Sequence, residues 1–301
     1  MSPPAGLVPK ARVRPDWIED HRRPRRLDRV RATAVLAAFV AFTLPLMPLQ
    51  AALLWRWPAA ARRLPQWYHA RVCGLLGIRL RVEGQLAAAT PVLLVANHTS
   101  WLDIVVISAA APVSFVAKKE VAGWPFVSWL ARLQRTVFVD RTRRTSTGDT
   151  AGEMIDRLNA GDTLVLFAEG TSSDGNRVLP FKTSLLAAAK PSRGAGTDHS
   201  RAVVQTLAIV YTHLHGVPFE RADRPLVGWY GDMELGAHAW ELLQAGPLDV
   251  TIRLGEPMPL DGFADRKALA RVSEQQIRAA VVDMLRGSEQ SRRGLPRSDQ
   301  Q

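Results

Sequence analysis

His98 and Asp103, in the run N-H-T-S-W-L-D, are the residue types that activate a hydroxyl group. Four residues separate them, about one helical turn, so one carboxylate oxygen can reach one imidazole nitrogen. The other nitrogen is then free to take a proton, as a general base must. The same spacing also suits a helix cap beside an ordinary loop histidine. The pair alone therefore fixes no function, and its surroundings must decide.

Pro91 to Ala96 (P-V-L-L-V-A) is short, apolar and β-branched, and reads as a buried strand. Thr99 and Ser100 can cap a following helix, leaving His98 in the strand-to-helix loop and Asp103 in the first turn. Further strands are expected at Val113–Ala117, Thr136–Val139, Thr163–Phe167, Val203–Tyr211 and Leu248–Leu254. Helices are expected at Thr145–Asn159, from Lys182 to Lys190 and at Met233–Gln244. A last helix carries Leu269, Val272, Ile277, Val281 and Met284 on one face. This alternation predicts an α/β fold, a mixed, partly parallel sheet flanked by helices. Sites in such sheets lie at strand ends, where His98, Arg141 and Glu169 fall.

The hydrophobic fraction of 47% is enough for a core, which excludes global disorder. A formal charge of +11 implies an anionic partner or an arginine-rich genome. The arginines are spread along the chain with no recognised nucleic-acid module, so nucleic acid is not an expected partner. Cys73 stands alone, which removes a disulfide framework and a thiolate zinc site. No Walker loop, dinucleotide fingerprint or zinc-ligand spacing is present, and no metal is expected.

Residues 1–31 form a basic segment whose start is proline-rich and expected to be disordered. From Ala32 to Leu54 no residue is charged. As a helix this run is about 35 Å long, enough to cross a hydrocarbon core of about 30 Å. Pro45 and Pro48 are expected to interrupt its second half. Arginines on both flanks favour a hairpin with both ends on the cytoplasmic side over a single span; a buried core helix is the third possibility. Trp55, Trp57, Trp67 and Tyr68 suit the headgroup level. The expected organisation is a membrane anchor over 32–71, a catalytic domain over 72–286 facing the cytoplasm from the inner membrane, and a polar tail over 287–301.

With T-V-F-V-D-R (Thr136–Arg141), F-A-E-G-T-S-S (Phe167–Ser173) and L-P-F-K (Leu179–Lys182), the opening block resembles the glycerolipid acyltransferase family. The resemblance covers Val92 to about Tyr211. It implies a membrane-bound α/β enzyme that takes its acyl group from acyl-CoA or acyl carrier protein and needs no other cofactor. It makes His98 and Asp103 the catalytic dyad, and Asn97, Arg141, Glu169, Gly170, Thr171 and Lys182 the substrate-binding residues. Arg141 stands at the family's acceptor-phosphate arginine. Phosphate-specific members usually read F-P-E-G-T-R-S, whereas Ala168 and Ser172 stand here; Arg135 occupies a usual glycine. The expected activity is acylation of 1-acylglycerol-3-phosphate or a related lysophospholipid. The variant block resembles the branch with lyso-ornithine-lipid acyltransferases, which makes that lipid the alternative acceptor. A non-catalytic basic membrane-binding protein is the competing class.

Overall fold

The computed structural model describes residues 25–88, 91–139, 146–186 and 202–292. Helices α1 (Arg26–Arg56) and α2 (Pro58–Leu76) lead into β1 (Ile78–Glu83) and β2 (Val92–Ala96). Next come α3 (Leu102–Ala110), β3 (Ser114–Lys118), α4 (Val127–Leu133), β4 (Val137–Val139), α5 (Ser146–Asn159) and β5 (Thr163–Phe167). The chain closes with β6 (Val203–Leu214), β7 (Val217–Pro218), α6 (Leu235–Ala245), β8 (Leu248–Leu254), β9 (Met258–Pro259) and α7 (Arg266–Arg292).

The sheet order is β1-β8-β6-β2-β5-β3-β4, with the short β7 and β9 attached to β6. From β6 to β4 every neighbouring pair is parallel; β8 runs antiparallel to β6 and parallel to β1. The expected mixed, partly parallel sheet is therefore present. Both faces are covered, which explains the unbroken apolar run in β2. Val92, Leu94 and Ala96 join Leu102, Val106 and Ile107 of α3 on one face. Leu93 and Val95 meet Leu158 of α5 and Leu269, Ile277 and Val281 of α7 on the other. Each such fully buried aliphatic side chain stabilises the fold by roughly 1.5–3 kcal/mol.

Strand β1 is not among the expected ones. Its I-R-L-R-V-E pattern puts charges on alternate positions, and Arg79 and Arg81 lie outward. Arg79 pairs with Asp249 of β8 at 2.7 Å, and Glu83 with Arg253 at 2.7 Å. The expected helix from Lys182 to Lys190 is a short turn as far as Leu186, and residues 187–190 lie outside those described.

Helices α1 and α2 form an antiparallel hairpin. Thr43 bonds the Tyr68 hydroxyl at 2.8 Å, Phe42 stacks on Tyr68, and the Gln50 amide donates to the Ala61 and Leu133 carbonyls. Contrary to expectation, α1 continues through Pro45 and Pro48. Each proline removes one helical N–H, but the contacts of Thr43 and Gln50 on either side hold the axis. Ala32, Leu36, Phe39, Thr43, Met47 and Gln50 recur at three- and four-residue spacing and turn toward the rest of the molecule. Leu44, Leu49, Trp55, Trp57 and Trp67 face outward, whereas Tyr68 turns in toward Thr43. By length and composition α1 can cross a membrane.

Candidate active site

The loop between β2 and α3 carries His98 at the C-terminal end of a central strand. Its ring Nδ1 lies 2.8 Å from Asp103 Oδ2. That same oxygen accepts the backbone N–H groups of Thr99 at 2.7 Å and Ser100 at 3.0 Å. The cap therefore runs opposite to the expected one. Asp103 reaches back to the loop from the helix's first turn, and no hydroxyl of Thr99 or Ser100 caps α3. Physically, a buried carboxylate needs these donors more than the helix end needs a hydroxyl. The arrangement fixes Nδ1 as the protonated nitrogen, because Oδ2 can only accept.

The second oxygen, Asp103 Oδ1, accepts the Tyr211 hydroxyl of β6 at 2.7 Å. Asp103 is fully buried, and the His98 side chain keeps 17% of its exposure. Burial and the neighbouring Asp103 charge hold the Tyr211 phenol well above its ordinary pKa, so it remains a donor. The imidazole also stacks on Phe167 at a centroid distance of 4.0 Å, and Phe167 on Phe115 at 6.2 Å. Tyr211 and Phe167 are the site residues that motif reading misses. Phe167 is legible afterwards as the residue two places before Glu169 at its strand end; Tyr211 depends on strand order and carries no local signal.

Glu169 sits beside the dyad. Its Oε1 accepts the His98 backbone N–H at 3.1 Å, and its side chain is buried. Oε2 has no hydrogen bond of normal geometry among the described residues. Burial pushes the carboxyl up to about 8; the N–H groups of His98 and Leu179 pull against that, and the charges of Asp103 and Glu274 add to it. At neutral pH Glu169 thus mostly carries its proton. Gly170 turns the chain at φ +70°, a conformation that L side chains avoid, and Thr171 follows on the surface. The Ser173 N–H donates to the His98 carbonyl at 2.9 Å and ties the two loops together.

Of the other expected site residues, Asn97 is buried and gives both ends of its amide to the Ile209 backbone, at 3.0 and 2.9 Å. Lys182 donates its backbone N–H to the Ala168 carbonyl at 2.8 Å and leaves its side chain exposed. Arg141 lies outside the described residues. Ser172, in place of the arginine, donates its hydroxyl to the Trp229 carbonyl. Among the described residues no cluster of three metal-ligating side chains occurs.

An apolar cavity of about 440 Å³ runs between the α1–α2 hairpin and the sheet and reaches Ile104, the residue after Asp103. Trp101, Ile104 and Phe115 line its inner part, and Leu130, Ala131 and Gln134 lie along the α4 side. The Phe115–Phe167–His98 stack connects the cavity wall to the imidazole. A polarised base beside an apolar slot suits acyl chemistry on a long-chain substrate.

Comparison with known proteins agrees with that geometry. The family model described as Acyltransferase matches residues 78–210. The chain is 49% identical over 261 residues to a protein of Brucella abortus named lyso-ornithine lipid O-acyltransferase, covering 86% of this chain and 97% of that one. A protein of the same name from Rhizobium meliloti is 45% identical, covering 84% and 86%. The crystal structure of the 1-acyl-sn-glycerophosphate acyltransferase of Thermotoga maritima matches with a TM-score of 0.60 at 23% identity. It covers 86% of this chain and 95% of that one, a likeness of fold.

Proposed function

The chain belongs to the acyltransferase family, and on that premise we propose that it moves an acyl chain from an acyl thioester to the hydroxyl of a lyso-ornithine lipid. The observation that carries this acceptor is the 49% identity across 97% of the Brucella abortus protein of that name. Ser172 supports it. A serine tied to the Trp229 carbonyl cannot make the two-pronged, charge-assisted contact of an arginine to phosphate. Lyso-ornithine lipid, the alternative acceptor on sequence grounds, thereby overtakes 1-acylglycerol-3-phosphate.

In the proposed mechanism His98 Nε2 takes the proton of the acceptor hydroxyl as its oxygen attacks the thioester carbonyl carbon. The C–S bond then breaks, and the departing thiolate receives that proton back from the imidazolium. Asp103 stabilises the imidazolium through Nδ1–H without taking its proton. The base contributes about 10²–10⁴ in rate; holding both lipids against the ring supplies a further share. The acyl chain occupies the apolar cavity. Asn97 acts by locking the loop onto β6, Glu169 by fixing the His98 backbone, and Gly170, Thr171 and Lys182 lie along the acceptor or donor headgroup; for Arg141 a headgroup contact is proposed on the sequence resemblance alone. Acyl-CoA and acyl carrier protein both suit the donor role. The hairpin rests on the inner membrane with the domain on the cytoplasmic side, a placement supported by arginines at both ends of α1: Arg26, Arg29 and Arg31 at its start, and Arg56, Arg62 and Arg63 around the elbow.

The test presents purified protein with an acyl thioester and, in parallel, lyso-ornithine lipid and 1-acylglycerol-3-phosphate. Diacyl product should form with the first at a clearly higher kcat/KM. A higher kcat/KM with the phosphate lipid would overturn the assignment.

A further inference from the structure

At the opposite end of the sheet from His98, a cleft of about 270 Å³ opens where α2 meets the N-terminal ends of β3 and β5. Arg62, Arg63 and Arg135 line it with Asp162, Ser114 and Gly161. Asp162 is buried and accepts both ends of the Arg135 guanidinium, at 2.9 and 2.8 Å. Arg157 Nε lies 2.5 Å from the same carboxylate, and Arg62 Nε 3.2 Å. The opposing influences on Asp162 are desolvation, which raises its pKa, and the bonds and charges of Arg157 and Arg135, which hold it below the usual carboxylate range. It is therefore ionised.

Three guanidiniums engage this one carboxylate and Arg63 stands at the rim, so about three of these four positive charges are uncompensated among the described residues. Arg62 Nε is buried without a well-formed hydrogen bond, and Arg63 is exposed at the rim. Arg62 and Arg63 belong to the first two turns of α2, next to the exposed Trp55 and Trp57 at the hairpin elbow. Pro65 and Gln134 line both this cleft and the apolar cavity, so a headgroup here has an apolar slot and the hairpin beside it. Five strand residues and their flanks separate the cleft from His98, roughly 20 Å.

We propose that this cleft binds the phosphate of an anionic phospholipid, at a site separate from the catalytic one. Guanidinium forks match phosphate oxygens in pairs. Basic pockets beside membrane helices recognise lipid phosphates by the same chemistry. A second species with that chemistry is free phosphate, and the lipid is favoured by the adjoining tryptophans and apolar wall. The proposal does not depend on which acceptor the enzyme uses.

The experiment measures thermal unfolding of the full chain in neutral detergent against dihexanoyl-phosphatidylglycerol, dihexanoyl-phosphatidylcholine and inorganic phosphate. Phosphatidylglycerol should raise Tm and bind about tenfold or more tightly than phosphatidylcholine. R62A/R63A should weaken that binding about tenfold or more, with acyl transfer in phosphatidylcholine micelles unchanged. This variant leaves the Arg135–Asp162–Arg157 network intact; the rim substitution R63E alone should act in the same direction and provides a second route. Inorganic phosphate reproducing the whole Tm shift would make this a free-phosphate site and sink the lipid assignment. Equal responses to the two lipids, or unaltered phosphatidylglycerol binding in both variants, would overturn the site.

Discussion

Asp103 receives hydrogen bonds from His98, Thr99, Ser100 and Tyr211, which divides its charge among four donors. Tyr211→Phe frees Asp103 Oδ1 and loosens the carboxylate that orients the ring, so kcat should fall with KM little changed. An unchanged kcat would show that the phenol has no part in positioning the dyad. His98→Ala should keep the fold and lose turnover by about 10²–10⁴; a folded variant as active as the parent would remove the general base from the mechanism. Glu169 yields a stability prediction with a definite sign. Its folded pKa of about 8 stands above the ordinary carboxylate value. Its contribution is therefore fully present below the ordinary value and is lost as pH rises through about 8. Glu169→Gln mimics the protonated form, so its Tm should fall less than that of the parent between pH ~4.5 and ~8, by on the order of a few kcal/mol in stability. Parallel Tm curves would show that the carboxyl is ionised throughout.

Among the elements, the turn between α4 and β4 shows what a motif position means physically. Arg135 adopts φ +61°, the left-handed region in which glycine is at ease. The bidentate bond to Asp162 offsets the strain. Arg135→Ala keeps the strain and loses the pair, and should cost about 1–3 kcal/mol in urea unfolding. Arg135→Gly should cost less by about 1 kcal/mol; equal losses would mean that the backbone there is unstrained. The same turn marks the limit of what a single chain discloses. The buried strands β2 and β5 were legible because burial on both faces leaves continuous apolar runs, and β8 because its apolar residues alternate strictly with polar ones. Strand β1 was not, since its arginines and glutamate face outward and pair across to β8. Likewise, His98, Asp103 and Glu169 announce themselves by type and spacing. Tyr211 is more than a hundred residues from Asp103 in sequence, and only the order of strands in the sheet brings them together. The direction of the helix cap also escaped, because hydroxyl and carboxylate candidates compete for the same N–H groups, and only burial decides between them.

Across the whole molecule, the hairpin closes the apolar cavity that the sheet leaves open. Leu36, Phe39 and Met47 from α1 and Leu64 and Val72 from α2 face Ile104, Phe115 and Ala131 across it. Ala131 lies on the side away from the dyad, so Ala131→Phe should shorten the slot. The expected result is a shift of preference toward shorter acyl thioesters with little change in the turnover of the shortest. A uniform fall across a chain-length panel would mean that the acyl group does not reach this wall. The outward face of α1 is apolar as well, with Leu44 and Leu49 exposed. On the proposed membrane placement, one helix meets lipid with one side and encloses the cavity with the other. Substitutions on the outer side that change how firmly the hairpin holds to a bilayer should then also change what the cavity takes in.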